Sequence, residues 1–155
     1  MYVGSLNTAI TLIFRLDRIG QVKWFLKADA LGGREAAGWI SFIYGSEGFG
    51  IKQDLPLAAQ WLLKGATHGD VESMCDLAKA YINGRGIEKN NLEAFKWLAV
   101  VTAKENNPEA EELLRQTAKT MSRSELANAR KQAAELVKKY VTAHDREDKE
   151  FERSE

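Results

Sequence analysis

Apolar and small side chains recur every three or four residues in several separate stretches of the chain. Residues 58–65, 73–81 and 94–101 each place such side chains on one face of a helix. A further stretch, residues 126–140, has the same spacing. The pattern predicts a chain of amphipathic helices, each with one face that must be buried.

Polar residues with short side chains stand just before the predicted helices. Such residues accept a hydrogen bond from a free backbone N–H of the first turn, so they mark where a helix begins. We assign this role to Asp54, Asp70, Asn90, Asn107 and Ser122. Two of them have a glutamate three positions on, as a capping box requires: Glu93 after Asn90 and Glu125 after Ser122.

Three of the four tryptophans lie one repeat apart. Trp24, Trp61 and Trp97 are separated by 37 and 36 residues. The same period relates four further pairs: Tyr44 and Tyr81, Gly48 and Gly84, Gly50 and Gly86, Ile51 and Ile87. Periods of this length are typical of repeats in which each unit is a pair of helices. We expect Trp61 and Trp97 to be buried on the apolar faces of their helices.

The two glycines of "YINGRGIEKNN" raise the question of a phosphate-binding loop. A dinucleotide-binding loop needs a preceding strand and a third glycine, and a P-loop needs Gly-Lys-Ser/Thr. Here an amphipathic helix precedes Gly84 and Gly86, and both of those additions are missing. Glycine ends a helix readily because it adopts the left-handed conformation at little cost. The sequence therefore favours a helix end, and no cofactor is expected.

The composition narrows the function further. The 22 lysines and arginines balance the 22 aspartates and glutamates, so no net positive charge attracts nucleic acid. One cysteine, Cys75, and two histidines, His68 and His144, are too few for a Cys/His metal cluster. No segment reaches the about 20 apolar residues of a transmembrane helix, so no membrane insertion is expected.

The apolar stretch "LNTAITLIFRL" near the start is followed by charged residues and lacks a small-residue cleavage site. As the chain is written, a cytoplasmic location is therefore predicted. A periplasmic or secreted location is the alternative if a leader has been removed.

The motif "Y-x-x-G-x-G-I", followed by a polar stretch and "A-x-x-W-L-x-K-x-A-x-x-G", resembles the Sel-one-like repeat, a relative of the tetratricopeptide repeat. The resemblance covers about residues 17–118. It implies an all-α fold: a right-handed α/α superhelix of about three helix-turn-helix repeats with a C-terminal capping helix. Members of the family serve as adaptors, and many bacterial ones act in secretion, in host contact or in neutralising a secreted toxin.

We predict a single repeat domain over residues 1–143. Its parts are, in order, a degenerate N-terminal unit (about 5–33), two repeats (about 34–69 and 70–106), and terminal and capping helices (about 107–143). The N-terminal unit begins with "SLNTAITLIFRL" as a helix that packs on the one carrying Trp24. Residues 144–155 are nearly all charged and are predicted to be a solvated helix end or a disordered tail.

Solenoid proteins bind partners with their concave face. With the small and apolar residues of 36–44 directed inward, three larger side chains remain on that helix: Trp39, Phe42 and Ile43. The repeat period places Asp76 and Lys79, and then Leu113 and Gln116, at positions related to the first two. Aromatic residues are enriched in binding hot spots, so this strip is a candidate site for a protein or peptide. In the alternative interpretation, Trp39 and Phe42 are buried against "LNTAITLIF".

Groups suited to catalysis are few. A catalytic dyad of Cys75 and His68 would combine a residue of one helix with a residue of the turn before it. Glu109, Glu111 and Glu112 lie in the first turn of a helix, where their negative charges interact favourably with the helix dipole. Three functions remain: a non-enzymatic module that binds a partner on its concave face, an immunity or inhibitor protein that covers the active site of a bacterial secreted toxin, and a hydrolase using carboxylates. The first is favoured and the enzyme is least favoured. The oligomeric state stays open.

Overall fold

The computed structural model describes residues 20–33, 35–47 and 51–141. Within these ranges the chain forms helices and no strand. The helices are α1 (20–30), α2 (Ala36–Gly45), α3 (Leu55–Thr67), α4 (Val71–Asn83), α5 (Asn91–Lys104), α6 (Pro108–Lys119) and α7 (Arg123–Tyr140). The predicted helix at "SLNTAITLIFRL" and the charged tail lie outside the described residues.

Neighbouring helices pack in chain order, from α2 on α3 through α4 and α5 to α6. In addition α7 lies against α5, and α2 touches α4. The units are therefore the pairs α2–α3 and α4–α5, with their first helices side by side. This is an all-α solenoid of stacked helix pairs, as the sequence predicts.

The five predicted N-caps are confirmed. Each side chain accepts a hydrogen bond from the backbone N–H three residues on: Asp54 from Leu57, Asp70 from Ser73, Asn90 from Glu93, Asn107 from Ala110 and Ser122 from Glu125. A full capping box forms at Ser122, where the Glu125 carboxylate accepts from the Ser122 N–H at 2.8 Å. At Asn90 only the first hydrogen bond of a capping box forms, and the Glu93 carboxylate instead pairs with the Lys96 ammonium at 2.6 Å.

We expect Ser122→Ala to lower the free energy of unfolding by about 1 kcal/mol, because α7 loses its cap. The backbone N–H of Ser122, and then its hydroxyl, lower the pKa of the Glu125 carboxyl. These two hydrogen bonds stabilise the fold fully at pH values above the pKa that Glu125 has in the unfolded chain. The stabilisation is lost as the pH falls through the lower pKa that Glu125 has in the folded chain. Urea unfolding at neutral and acidic pH measures both effects. If Glu125→Gln left the difference between the two pH values unchanged, the assigned linkage would be wrong.

The same backbone hydrogen bond closes the turn in both units. The Asp54 N–H donates to the Tyr44 carbonyl at 2.9 Å, and the Asn90 N–H donates to the Tyr81 carbonyl at 3.0 Å. The donors and the acceptors are each related by the repeat period. Equivalent hydrogen bonds thus close the two turns even though the turns differ in sequence and by one residue in length.

The two glycines in the turn of the second unit have different structural roles. Gly84 ends α4 in the left-handed conformation, with φ of 67°, and its N–H donates to the Ala80 carbonyl. Gly86 has φ of 75°, and a Cβ placed on it would overlap the carbonyl of Leu55 at the start of α3. The predicted helix end is confirmed at Gly84. Gly86 lets the turn of one unit touch the backbone of the unit before it.

The core lies mainly between α4 and α5. Its largest fully buried apolar side chains there are Met74, Leu77, Leu98, Val100 and Val101. A second cluster forms where α7 lays Ala129 and Ala133 against Phe95 of α5. The small residues let the two helices approach closely, so α7 covers a face of α5 that would otherwise meet water.

The three tryptophans at equivalent repeat positions differ in burial. Trp97 is 5% exposed, and its ring centre lies 5.8 Å from that of Tyr140 in α7. Trp61 is half-buried, with the Lys64 ammonium 4.7 Å from its ring centre. Trp24 is 71% exposed. The predicted burial is therefore confirmed for Trp97 and only partial for Trp61.

Candidate partner-binding groove

A groove of about 360 Å³ lies between α2 and α4, and we call it the α2–α4 groove. One wall is the α2 face that includes Ser41 and Phe42. Its floor is α3, which contributes four apolar side chains: Leu55, Ala58, Ala59 and Leu62. The other wall is α4 and the residues after it, with four polar side chains: Asp76, Lys79, Asn83 and Arg85. The groove therefore combines an apolar floor with a polar rim.

Small residues determine how closely the walls approach the floor. Gly45 of α2 lies against Ala58 of α3, where an added Cβ would be 3.6 Å from the Ala58 methyl group. Gly65, further along α3, is so close to Ser73 of α4 that an added Cβ would overlap the serine side chain. The alanines and glycines thus let the three helices pack tightly at these points.

The predicted residues of α2 divide between surface and core. Trp39 is 53% exposed and Phe42 is 52% exposed. The two rings meet edge to face at 6.4 Å, and Trp39 also stacks on Phe25 of α1 at 5.9 Å. Ile43 is 2% exposed, which corrects its predicted place in the strip, because its side chain faces the core. The segment "LNTAITLIF" of the alternative interpretation lies outside the described residues.

The strip residues of α4 and those of α6 also lie in different places. Asp76 and Lys79 both line the α2–α4 groove with Phe42. In contrast, Leu113 is partly buried against the core, and Gln116 is exposed and donates to Glu112 at 2.8 Å. The structure therefore brings the α2 and α4 residues of the strip to one groove and leaves the α6 pair outside its lining.

Lys79 connects α4 to α6. Its ammonium lies 3.5 Å from Asp76 Oδ1 and 2.9 Å from Glu109 Oε1. Partial burial alone would lower the pKa of Lys79, but the hydrogen bond to Glu109 and nearby negative charges outweigh it, so the pKa is raised. The lysine stays charged, and its charge is shared between two carboxylates.

Sequence reasoning missed Arg85 as a groove residue. Its Nη2 donates to the Gly45 carbonyl at 2.7 Å, across 40 positions of the chain. The only signal in the sequence is its place between Gly84 and Gly86, where a turn presents it outward. The sequence could not show that this turn reaches back to the C-terminal end of α2, because that depends on how the units stack.

The two residues of the dyad considered for catalysis, Cys75 and His68, differ in burial. Cys75 is buried, and burial raises the pKa of its thiol, which keeps it in the weakly nucleophilic protonated form. His68 is exposed at the end of α3. Among the described residues, no three His, Cys, Asp or Glu side chains are grouped to hold a metal ion, and no described helix is long and apolar enough to cross a membrane.

The fold and the groove define a class of protein, an α-helical repeat solenoid with a groove between the first helices of adjacent units. The model of the Sel1 repeat family matches residues 38–70 and 71–99. The chain therefore contains two Sel1-like repeats. Sel1 repeats are generally protein-interaction modules.

One similar solved structure is that of a protective antigen present in uropathogenic Escherichia coli strains, which displays an SLR fold. It is 28% identical to this chain, with a TM-score of 0.71, and the match covers 77% of this chain and 25% of the antigen. The chain thus spans about a quarter of the length of this neighbour. None of the curated proteins compared with the chain matches it.

Proposed function

We propose that this chain is a non-enzymatic binding protein that holds a segment of a partner protein in the α2–α4 groove. The observation that carries the proposal is the groove itself: an apolar floor on α3 beside a half-exposed phenylalanine and a polar rim. Its position between the first helices of two Sel1 repeats supports the proposal, because repeat proteins present such helices to their partners.

The aromatic pair on α2 supplies the main contact area in this proposal. Phe42 lines the groove, and Trp39 lies beside it on α2, with its ring in edge-to-face contact with that of Phe42. A partner side chain that covers them loses water from a large apolar surface at a small cost in side-chain entropy. Aromatic anchors of this kind carry most of the binding energy in many interfaces.

The groove variant Trp39→Ala/Phe42→Ala is expected to lose the partner while keeping its fold. Removal of two aromatic anchors should weaken binding at least about tenfold. The matched control is Trp24→Ala/Leu31→Ala, which removes one exposed apolar side chain of α1 and one directly after it, neither of which lines the α2–α4 groove. Affinity capture from the source cell's lysate and secreted fraction, followed by titration of the captured protein, compares the three proteins.

Equal affinity of the wild type and the groove variant for the captured partner would contradict the proposal. Far-UV circular dichroism must show that both variants are folded, so that a loss of binding reports on the site. The immunity role stays a prediction. It would gain support if the captured partner were a secreted toxin whose activity the chain suppresses.

A further inference from the structure

The α2–α4 groove carries charge of opposite sign towards its two ends. On the side of Gly38 lies Asp76, and the Lys79 ammonium that it contacts is shared with Glu109 of α6 outside the lining, which leaves an excess of negative charge. On the side of Gly45 lies the guanidinium of Arg85. Within the described ranges Arg85 has no carboxylate partner.

Arg85 is exposed, and a hydrogen bond positions its guanidinium at the C-terminal end of α2. The Gly45 carbonyl accepts hydrogen bonds from Arg85 Nη2 at 2.7 Å and from Gln53 Nε2 at 3.0 Å. One N–H of the guanidinium is used in this way, and the remaining donors are available at the rim. A planar guanidinium with free N–H groups is suited to a bidentate pair with a carboxylate.

From this arrangement we infer that the segment bound in the α2–α4 groove carries an aspartate or glutamate whose side chain pairs with Arg85, next to an apolar residue that rests on the α3 floor. The inference depends on the proposed function, since it describes the ligand of the same groove. The carboxylate belongs to a side chain and not to a chain end. Capture of a C-terminus needs an enclosing set of backbone donors, whereas Arg85 is a single cation on an exposed rim.

The length of the groove limits the segment that it recognises. The α2 wall has 10 residues, which corresponds to about 15 Å of helix. An extended peptide covers that length with about five residues. The acidic residue and the apolar anchor must therefore lie within about five positions of each other, with no acidic residue at the end near Asp76 and Glu109.

A displayed library of random peptides of about ten residues tests this inference, because each peptide is long enough to fill the groove. The library is selected on wild-type protein, on Arg85→Gln, on Arg85→Glu and on Arg130→Glu. Arg130 is an exposed arginine of α7 outside the α2–α4 groove, so its reversal matches the charge change of Arg85→Glu. Arg85→Lys keeps the charge and serves as the conservative variant.

Wild type and Arg130→Glu are expected to enrich peptides with an acidic residue near an apolar one. In a selected synthetic peptide, replacement of that residue by its amide should weaken binding to wild type about tenfold, and to Arg85→Gln by less than about twofold. Arg85→Glu should instead select lysine or arginine at that position. Peptides with an amidated C-terminus should bind as well as those with a free one.

An acidic preference that survives unchanged in Arg85→Gln and Arg85→Glu would overturn the inference. So would a requirement for a free C-terminus, which would assign the carboxylate to a chain end. The proposed function fails separately: if selected peptides bind Trp39→Ala/Phe42→Ala as well as wild type, the groove is not the site. Peptides that need the aromatic pair but show no acidic preference would overturn only the inference about Arg85.

Discussion

Gly86→Ala is expected to lower the free energy of unfolding by about 3 kcal/mol or more. The substitution has two separate costs. Gly86 has φ of 75°, where an alanine is strained, and the new Cβ would overlap the Leu55 carbonyl. That neighbour is backbone at the start of α3, held by the Asp54 cap and by Pro56, so it cannot move as a flexible side chain would. The turn must separate from the preceding unit or distort.

Gly84→Ala is the matched control, because it tests the strain without the overlap. Gly84 has φ of 67°, and the nearest atom to an added Cβ is Lys89 Cβ at 3.7 Å, an ordinary contact. The expected cost is about 1 kcal/mol. Urea unfolding followed by tryptophan fluorescence measures both variants. Equal costs for the two glycines would show that the contact between Gly86 and Leu55 does not limit the packing of the units.

Trp97→Ala is expected to cost about 3 to 5 kcal/mol, because it leaves a large cavity in the core cluster of α4, α5 and α7. The indole is 5% exposed and packs against Tyr140, whose hydroxyl reaches the Thr67 carbonyl at 3.4 Å. Loss of the indole therefore also weakens the attachment of the C-terminal end of α7. The same unfolding measurement gives the value.

Trp61→Ala provides the comparison at the equivalent repeat position. Its indole is half-buried, and Lys64 covers one face. We expect a cost of about 1 to 2 kcal/mol, since less apolar surface returns to water. A Trp97→Ala cost no greater than that of Trp61→Ala would contradict the assigned role of α7 as the cover of the second unit.

Local features of the fold were predictable because short-range chemistry determines them. An N-cap such as Asn107 needs only a free N–H three residues on, and Gly84 needs only the end of its own helix. The repeat period then predicts that equivalent helices lie side by side. Burial at one repeat position was not predictable, since Trp97 and Trp61 differ through what other parts of the chain place on them.

The candidate site was predictable only in part. Counting along the repeat period found Phe42, Asp76 and Lys79, which the structure brings to one groove. It misplaced Ile43, because neighbouring residues of a helix lie about 100° apart around its axis, so Phe42 reaches the surface while Ile43 faces the core. It missed Arg85, whose place at the rim depends on a hydrogen bond between two units.

Close contact between the backbones at Gly86 and Leu55 helps to set the dimensions of the groove. Backbone packed on backbone has few alternative arrangements, and the Arg85 hydrogen bond to Gly45 fixes the same junction a second time. The candidate site is therefore preorganised, and in the proposed complex the conformational entropy lost on association would come mainly from the ligand. A cyclised or otherwise rigid peptide should gain affinity for this groove, whereas further stiffening of the repeat protein should add little.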